Sequence, residues 1–284
     1  MPNKKNKKKK KKQQKKPVAV LQKPVDVTYT VKPSVKHFDV ADLLYPFPPS
    51  RQWRITTDII LVLYGDRKDL DRCIVSIEKH CSNYELHIID NNEVNRGFTR
   101  AVNEGILAGS APYVWLLNQD AVVLEGAQEA LIERFDYGPK VGIAGSMQID
   151  YDDRDIIRHG GTLQAFPYGI HKGGKISMGH CRIPEKNTWI NFASAMFRRE
   201  MIRHIGVLDE NMFLLFSDSD YCYWARYRGW EVWYTPRSRV LHRLGKASKS
   251  VSEWHQKDKE AFMKKWGISH RNVSELFQKL DKYP

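Results

Sequence analysis

Two aspartates, Asp218 and Asp220, stand within FLLFSDSDYCYWARYRGW (213–230), between an oily run and an aromatic segment of helical character. Acids held at such a boundary can serve catalysis. Ser and Asp at a helix start also cap it, by accepting bonds from free backbone N–H groups. Three other polar triplets each follow an apolar run: Tyr64-Gly65-Asp66, Asp90-Asn91-Asn92 and Asn118-Gln119-Asp120. Such polar ends converge on one ligand site, provided that the runs before them lie side by side.

The pattern predicts that they do. DIILVLY (58–64), ELHIID (85–90) and PYVWLLNQD (112–120) read as strands. LDRCIVSIEKHC (70–81) has helical spacing at Leu70, Ile74, Ile77 and Cys81, and a helix from Phe98 carries Phe98, Val102 and Ile106 on one face and closes at Gly109. Strand–helix–strand–helix–strand with continuous apolar strands implies a Rossmann-like α/β fold, its mostly parallel sheet flanked by helices. Ligands of such sheets sit beyond the carboxyl ends of the strands, where the triplets fall. Further strands are expected at 141–150 and 231–242, Gly-rich segments at 159–174, and a strand turning helical over 189–206. A last amphipathic helix near 254–267 offers Trp254, Ala261, Phe262 and Trp266 for packing.

The net charge of +13 is concentrated: ten lysines and no acid lie in residues 1–16, leaving +3 for the remainder. That tail is expected to be disordered, and 17–53 to form an extended arm. Residues 54–284 then make one domain, with halves near 54–150 and 151–284. Polylysine attracts an anionic membrane surface or DNA, or simply stays solvated. No apolar run approaches the roughly 20 residues of a membrane span. Cys73, Cys81, Cys181 and Cys222 show no metal spacing, which favours reduced thiols. These features suggest a cytoplasmic protein, peripheral to a membrane if the tail binds one, or in the host cytoplasm if the chain is viral.

NRGFTRAVNEG (95–105), YVWLLNQDAVV (113–123), ASAMFRREMIRHIGVLDENMF (193–213), DSDYCYWARYRGWEVWYTP (218–236) and RVLH (239–242) together resemble family 2 glycosyltransferases of the GT-A fold, in order and over roughly 57–266. The resemblance implies a nucleotide-sugar donor whose diphosphate leaving group is neutralised by Mn²⁺ or Mg²⁺. The family's Asp-x-Asp becomes Asn118-Gln119-Asp120 here, like a branch with Asn-x-Asp, so Asp120 is the implied metal ligand. His242, ending a strand, is implied as a second. Asp90 matches the nucleoside-contacting acid. Asn95, Gly97 and Asn103 match the N-x-G-F…N segment, and Tyr64 and Asn118 complete the donor side.

In the resembling enzymes the later motif reads Glu-Asp-x-Asp, and the Asp directly after Glu is the base of an inverting transfer. Ser217 replaces that Glu, Asp218 becomes the base, and Asp220 is left to capping or acceptor contact. Trp189 and Asn191 are assigned to the acceptor side, and Arg243, Lys246 and Ser248 to phosphate contact. The expected acceptor is a glycan or lipid-linked saccharide. One alternative is a hydroxymethylated base of viral DNA, flipped out to reach Asp218. Another is a non-catalytic nucleotide-sugar or polyanion binder.

Overall fold

The computed structural model describes residues 56–164, 170–243 and 251–268. The polylysine tail, the arm, Lys246 and Ser248 lie outside these residues. Strand β1 (Thr57–Leu63) is buried along its whole length, because both of its faces are covered. Ile60 and Val62 pack with Val102 and Ile106 of α2 (Phe98–Ala108), while Ile59, Leu61 and Leu63 pack with Leu70, Cys73 and Ile77 of α1 (Arg67–His80). Asp66 opens α1 by accepting the Lys68 N–H at 3.0 Å.

β1 pairs in parallel with β2 (Tyr84–Asp90) on one side and β3 (Tyr113–Asn118) on the other. After β3 come the two-residue β4 (Val122–Val123), helix α3 (Ala127–Asp136) and the buried β5 (Val141–Asp150). An excursion of short strands follows: β6 (Ile156–His159), β7 (Thr162–Gln164), β8 (Ile170–His171), β9 (Gly174–Lys175) and β10 (Glu185–Lys186). Then come β11 (Ser194–Arg198), α4 (Arg199–Ile205), α5 (Ser217–Tyr227), β12 (Glu231–His242) and α6 (Val251–Trp266).

The main sheet runs β10-β12-β5-β11-β3-β1-β2. β11 is antiparallel to both β3 and β5, and β12 is parallel to β5. The ends of β1, β2, β3, β5 and β12 therefore share one edge of the sheet with the start of β11. The expected parallel sheet is present, with one reversed strand and antiparallel additions at its margins. Both expected halves of the chain contribute strands to this sheet, since β11 inserts between β3 and β5. α3 escapes the sequence reading although Ala127, Ala130, Leu131 and Phe135 have helical spacing; it covers the same face as α1.

Buried hydroxyls knit the centre. Ser146 Oγ lies 2.7 Å from both Ser194 Oγ and Ser238 Oγ, and the Trp115 indole donates to Ser194 at 3.1 Å. Strands β3, β11, β5 and β12 are thus joined through side chains as well as backbone, with these polar groups satisfied inside the core. The four cysteines are free, with Cys73, Cys81 and Cys222 buried.

Candidate active site

The strand ends are tied to one another. The Tyr64 N–H donates to Gln119 Oε1 at 3.0 Å and the Tyr64 carbonyl accepts from Gln119 Nε2 at 2.6 Å, joining the ends of β1 and β3. The Gly65 N–H donates to Asn92 Oδ1 at 2.7 Å, joining β1 to the turn after β2. Main-chain clamping leaves the Tyr64 ring exposed at this edge. Gln119 is thus the clasp of a triplet in which sequence reasoning gave it no role.

Asp120 and His242 meet because β4 pairs with the end of β12, Val122 opposite Leu241. His242 Nε2 lies 3.3 Å from Asp120 Oδ1 and 3.4 Å from Asn118 Nδ2. His242 is buried, and its Nδ1 has no hydrogen-bond partner. The Asp120 carboxylate beside His242 Nε2 is a donor pair of a kind that suits Mn²⁺.

Asp58, Glu85 and His87 also bring ligand atoms within 4.8 Å of one another. They sit at the opposite edge of the sheet, where Asp58 is already bound by Arg199 at 2.6 Å and by the Ala111 N–H at 2.8 Å. Five strand residues, about 17 Å, separate Asp58 from the end of β1. Asp58 is thus already engaged in holding Arg199 and the Ala111 N–H, away from the strand ends.

Asp218 occupies the second position of α5 and is partly buried. It accepts the Ser219 N–H at 2.7 Å, and the Phe192 backbone N–H lies near enough to favour its ionised form. Phe192 leads into β11, and the carbonyl of the next residue, Ala193, accepts the Asn118 N–H at 2.9 Å. Asp218 is thereby set against the same edge as Asp120. Burial pushes its carboxyl up to about 6, against the opposing pull of these hydrogen bonds. Such a base is ionised at neutral pH yet retains appreciable proton affinity.

Other candidates have more structural surroundings. The Asp90 carboxylate accepts the Asn92 N–H at 2.9 Å in an Asx-turn at the edge, and remains exposed. Asn95 Oδ1 accepts from Asn91 Nδ2 at 3.1 Å and from the Gly97 N–H at 3.0 Å, shaping the turn into α2. What approaches Gly97 is a protein segment: a Cβ there would lie 2.6 Å from Phe213 Cδ2 and 2.7 Å from the Phe213 carbonyl oxygen. Asn103 is buried, donating to the Leu208 carbonyl at 2.9 Å and accepting the Leu208 N–H at 3.0 Å. These bonds make it a brace between α2 and the segment before α5, away from the donor edge.

Asp220 neither caps α5 from outside nor faces open space. It is buried, accepting from Lys265 Nζ at 2.7 Å and Trp266 Nε1 at 2.8 Å, and so joins α5 to α6. Trp189 is buried too, its ring against His159 and His171. Asn191 Oδ1 accepts from Gln148 Nε2 at 3.0 Å, beside Phe192 at the site edge. Arg243 pairs with Asp152 at 2.9 Å and lies over the Tyr151 ring.

The family model described as "Glycosyltransferase like family 2" matches residues 50–263. The chain belongs to glycosyltransferase family 2. The domain is 26% identical over 212 residues to poly-beta-1,6-N-acetyl-D-glucosamine synthases of Staphylococcus epidermidis and Staphylococcus aureus (strain COL), covering 73% of this chain and 48% of each relative. The chain thus spans about half the length of the curated relatives it matches. Among solved structures, this glycosyltransferase domain resembles GalNAc-T7 with UDP, GalNAc and Mn²⁺ (TM-score 0.56, 13% identity, 80% of this chain and 55% of that one). It also resembles the mannosyltransferase PcManGT from Pyrobaculum calidifontis in complex with GDP-Man and Mn²⁺ (TM-score 0.54, 12% identity, 85% and 73%). At that identity the likeness is one of fold, and the fold is GT-A.

Gly97 supplies a test of how this glycosyltransferase domain holds its site. Its φ is +88°, and Phe213 leaves no room for a methyl group. Gly97→Ala should destabilise the fold by about 1–3 kcal/mol through forced displacement of Phe213. Gly126 has φ +75° but open space around it. Gly126→Ala should therefore cost only the left-handed backbone, about 1 kcal/mol. Thermal unfolding of the two variants measures the difference.

Proposed function

We propose that this domain is an inverting, metal-assisted glycosyltransferase that moves a sugar from a nucleotide-sugar to a saccharide hydroxyl. The observation carrying the reading is the convergence of Asp218 and the Asp120–His242 pair on one sheet edge, across the junction of β3 and β11. Asp120 and His242 hold the divalent cation, which when bound offsets charge on the departing diphosphate. The exposed Tyr64 ring and Asp90 flank the nucleoside, with Asn118 beside them. Asp218 accepts the acceptor hydroxyl's proton as the oxygen bonds to the anomeric carbon. The nucleoside diphosphate leaves from the opposite face, so the configuration inverts.

A saccharide acceptor is favoured over DNA by the synthases to which the chain is similar. Among the described residues no helix is long and apolar enough to cross a membrane. Deleting residues 1–16 should leave transfer to a soluble saccharide unchanged; retention on DNA at low salt together with transfer to DNA would overturn the saccharide reading.

UDP- and GDP-sugars, each with Mn²⁺ and with chelator, test the donor side by thermal unfolding. The correct donor at about 100 times its dissociation constant adds about 2.7 kcal/mol of stability. Asp120→Ala and His242→Ala should abolish the Mn²⁺-dependent part of that shift. A shift that is identical with chelator would remove the metal from the scheme.

A further inference from the structure

α6 makes an unusual contact with the segment that leads to the base. Asp258 is buried, and its carboxylate accepts three successive backbone N–H groups: Phe213 at 2.8 Å, Leu214 at 2.8 Å and Leu215 at 2.7 Å. These charge-assisted bonds compensate a carboxylate withdrawn from water. Other contacts hold α6 as well. Phe262 is fully buried, Lys265 reaches Asp209 at 3.0 Å as well as Asp220, and Trp266 holds Asp220.

The three N–H groups sit immediately before the turn that aims Asp218. Phe216 follows with φ +62°, a left-handed conformation that a bulky side chain adopts only under constraint, and α5 starts at Ser217. Phe213 is gripped from the other side too. Its carbonyl accepts the Thr99 N–H at 3.3 Å, and its ring stacks on Trp254 at 3.9 Å.

We propose that Asp258 is a positioning residue for the transfer reaction, locking the 213–216 segment so that the left-handed turn at Phe216 presents the Asp218 carboxylate to the acceptor hydroxyl. This rests on Asp218 being the base. The charged and titratable groups facing the segment are His255 beside Phe216, Lys257 over Trp254, and the Asp209–Lys265–Asp220 cluster. Asp258 differs from them in touching the backbone that carries the turn.

Asp258→Asn keeps the shape but offers one acceptor oxygen in place of two, and Asp258→Glu keeps the charge but moves it by one methylene. Both should lower kcat about 10–100-fold with the donor KM nearly unchanged, as expected for a misplaced catalytic group. The acid limb of kcat should move below its wild-type position near pH 6, because a loosened Asp218 is better hydrated. If the Asn variant does not fold, the Glu variant decides.

Gln128→Ala, which removes the Gln128 bonds to Thr57 and Ser82 at the far edge, is the control for a loss of stability alone. It should leave the limb in place. A folded Asp258 variant with wild-type kcat and limb overturns the proposal, as does a kcat loss whose limb stays where the control's is. Asp218→Asn assayed in parallel separates the two readings. If it retains activity, the assignment of the base fails; if it is inactive while the Asp258 variants behave as wild type, only the positioning role fails.

Discussion

Asp218→Asn should lower kcat by about 10²–10⁴-fold while leaving Mn²⁺-dependent donor binding intact, since a general base contributes on that scale and has no part in holding the diphosphate. In the unaltered chain, log kcat should climb with unit slope as the pH rises to about 6 and then level off, following ionisation of this carboxyl. The same group carries a stability signature of opposite sense. Its folded value of about 6 lies above the ordinary 3.8, so its contribution to stability is fully present below pH 3.8 and is lost as the pH rises through about 6. The stability of Asp218→Asn relative to wild type should therefore increase between pH 4 and pH 6. Urea denaturation across that range measures it. A flat difference would mean that Asp218 is well solvated and unsuited to the role.

Arg199→Leu should be the most damaging single change to the fold, at about 3–5 kcal/mol. The Arg199 guanidinium donates to the Ala111 carbonyl at 2.8 Å, the Ile106 carbonyl at 2.7 Å and Asp58 at 2.6 Å, all in the interior. It therefore fastens α4 to the end of α2, to the entry of β3 and to β1. Burial alone would raise the Asp58 carboxyl, but bonds from His87 and Ala111 and the charges of His87 and Arg199 hold it below the usual range. Without Arg199, Asp58 is a buried anion that keeps His87 and the Ala111 N–H but loses its one guanidinium partner among the described residues. Replacing both residues, Asp58→Leu with Arg199→Leu, should recover part of the loss, because no uncompensated charge then remains. Equilibrium unfolding of the single and double variants measures the coupling. Near-additive losses would show that the pair acts independently.

The core sheet was legible because β1 and β3 are apolar runs with polar ends, and continuous burial writes itself as continuous hydrophobicity, while β2 at the sheet margin is only half-buried and was read from its apolar residues alone. The reversed direction of β11 was not legible, since ASAMF reads alike in either orientation and only its partners decide. α3 had the right spacing, but it follows the short β4 without a side-chain cap to announce it; Gly126 precedes it in a left-handed turn. Asp120 and His242 stand 122 positions apart and meet through two-residue pairing between β4 and β12, which no local pattern reports. Resemblance supplied the pair. It also assigned Asn103 and Asp220 to the site; in the fold Asn103 braces α2 against the segment before α5, and Asp220 joins α5 to α6. Asp258 carried no signal at all, since an acid on an amphipathic helix reads as a solvated one.

The reversal of β11 also divides what can be varied. The proposed donor edge is built by residues that leave strands, while Asn191 and Phe192 reach it by entering one. Chain added or removed between β5 and position 189 would reshape the surface where β11 begins and leave the exits of β1, β2 and β3 untouched. Relatives differing only in that stretch should share a nucleotide preference and differ in which hydroxyl they glycosylate.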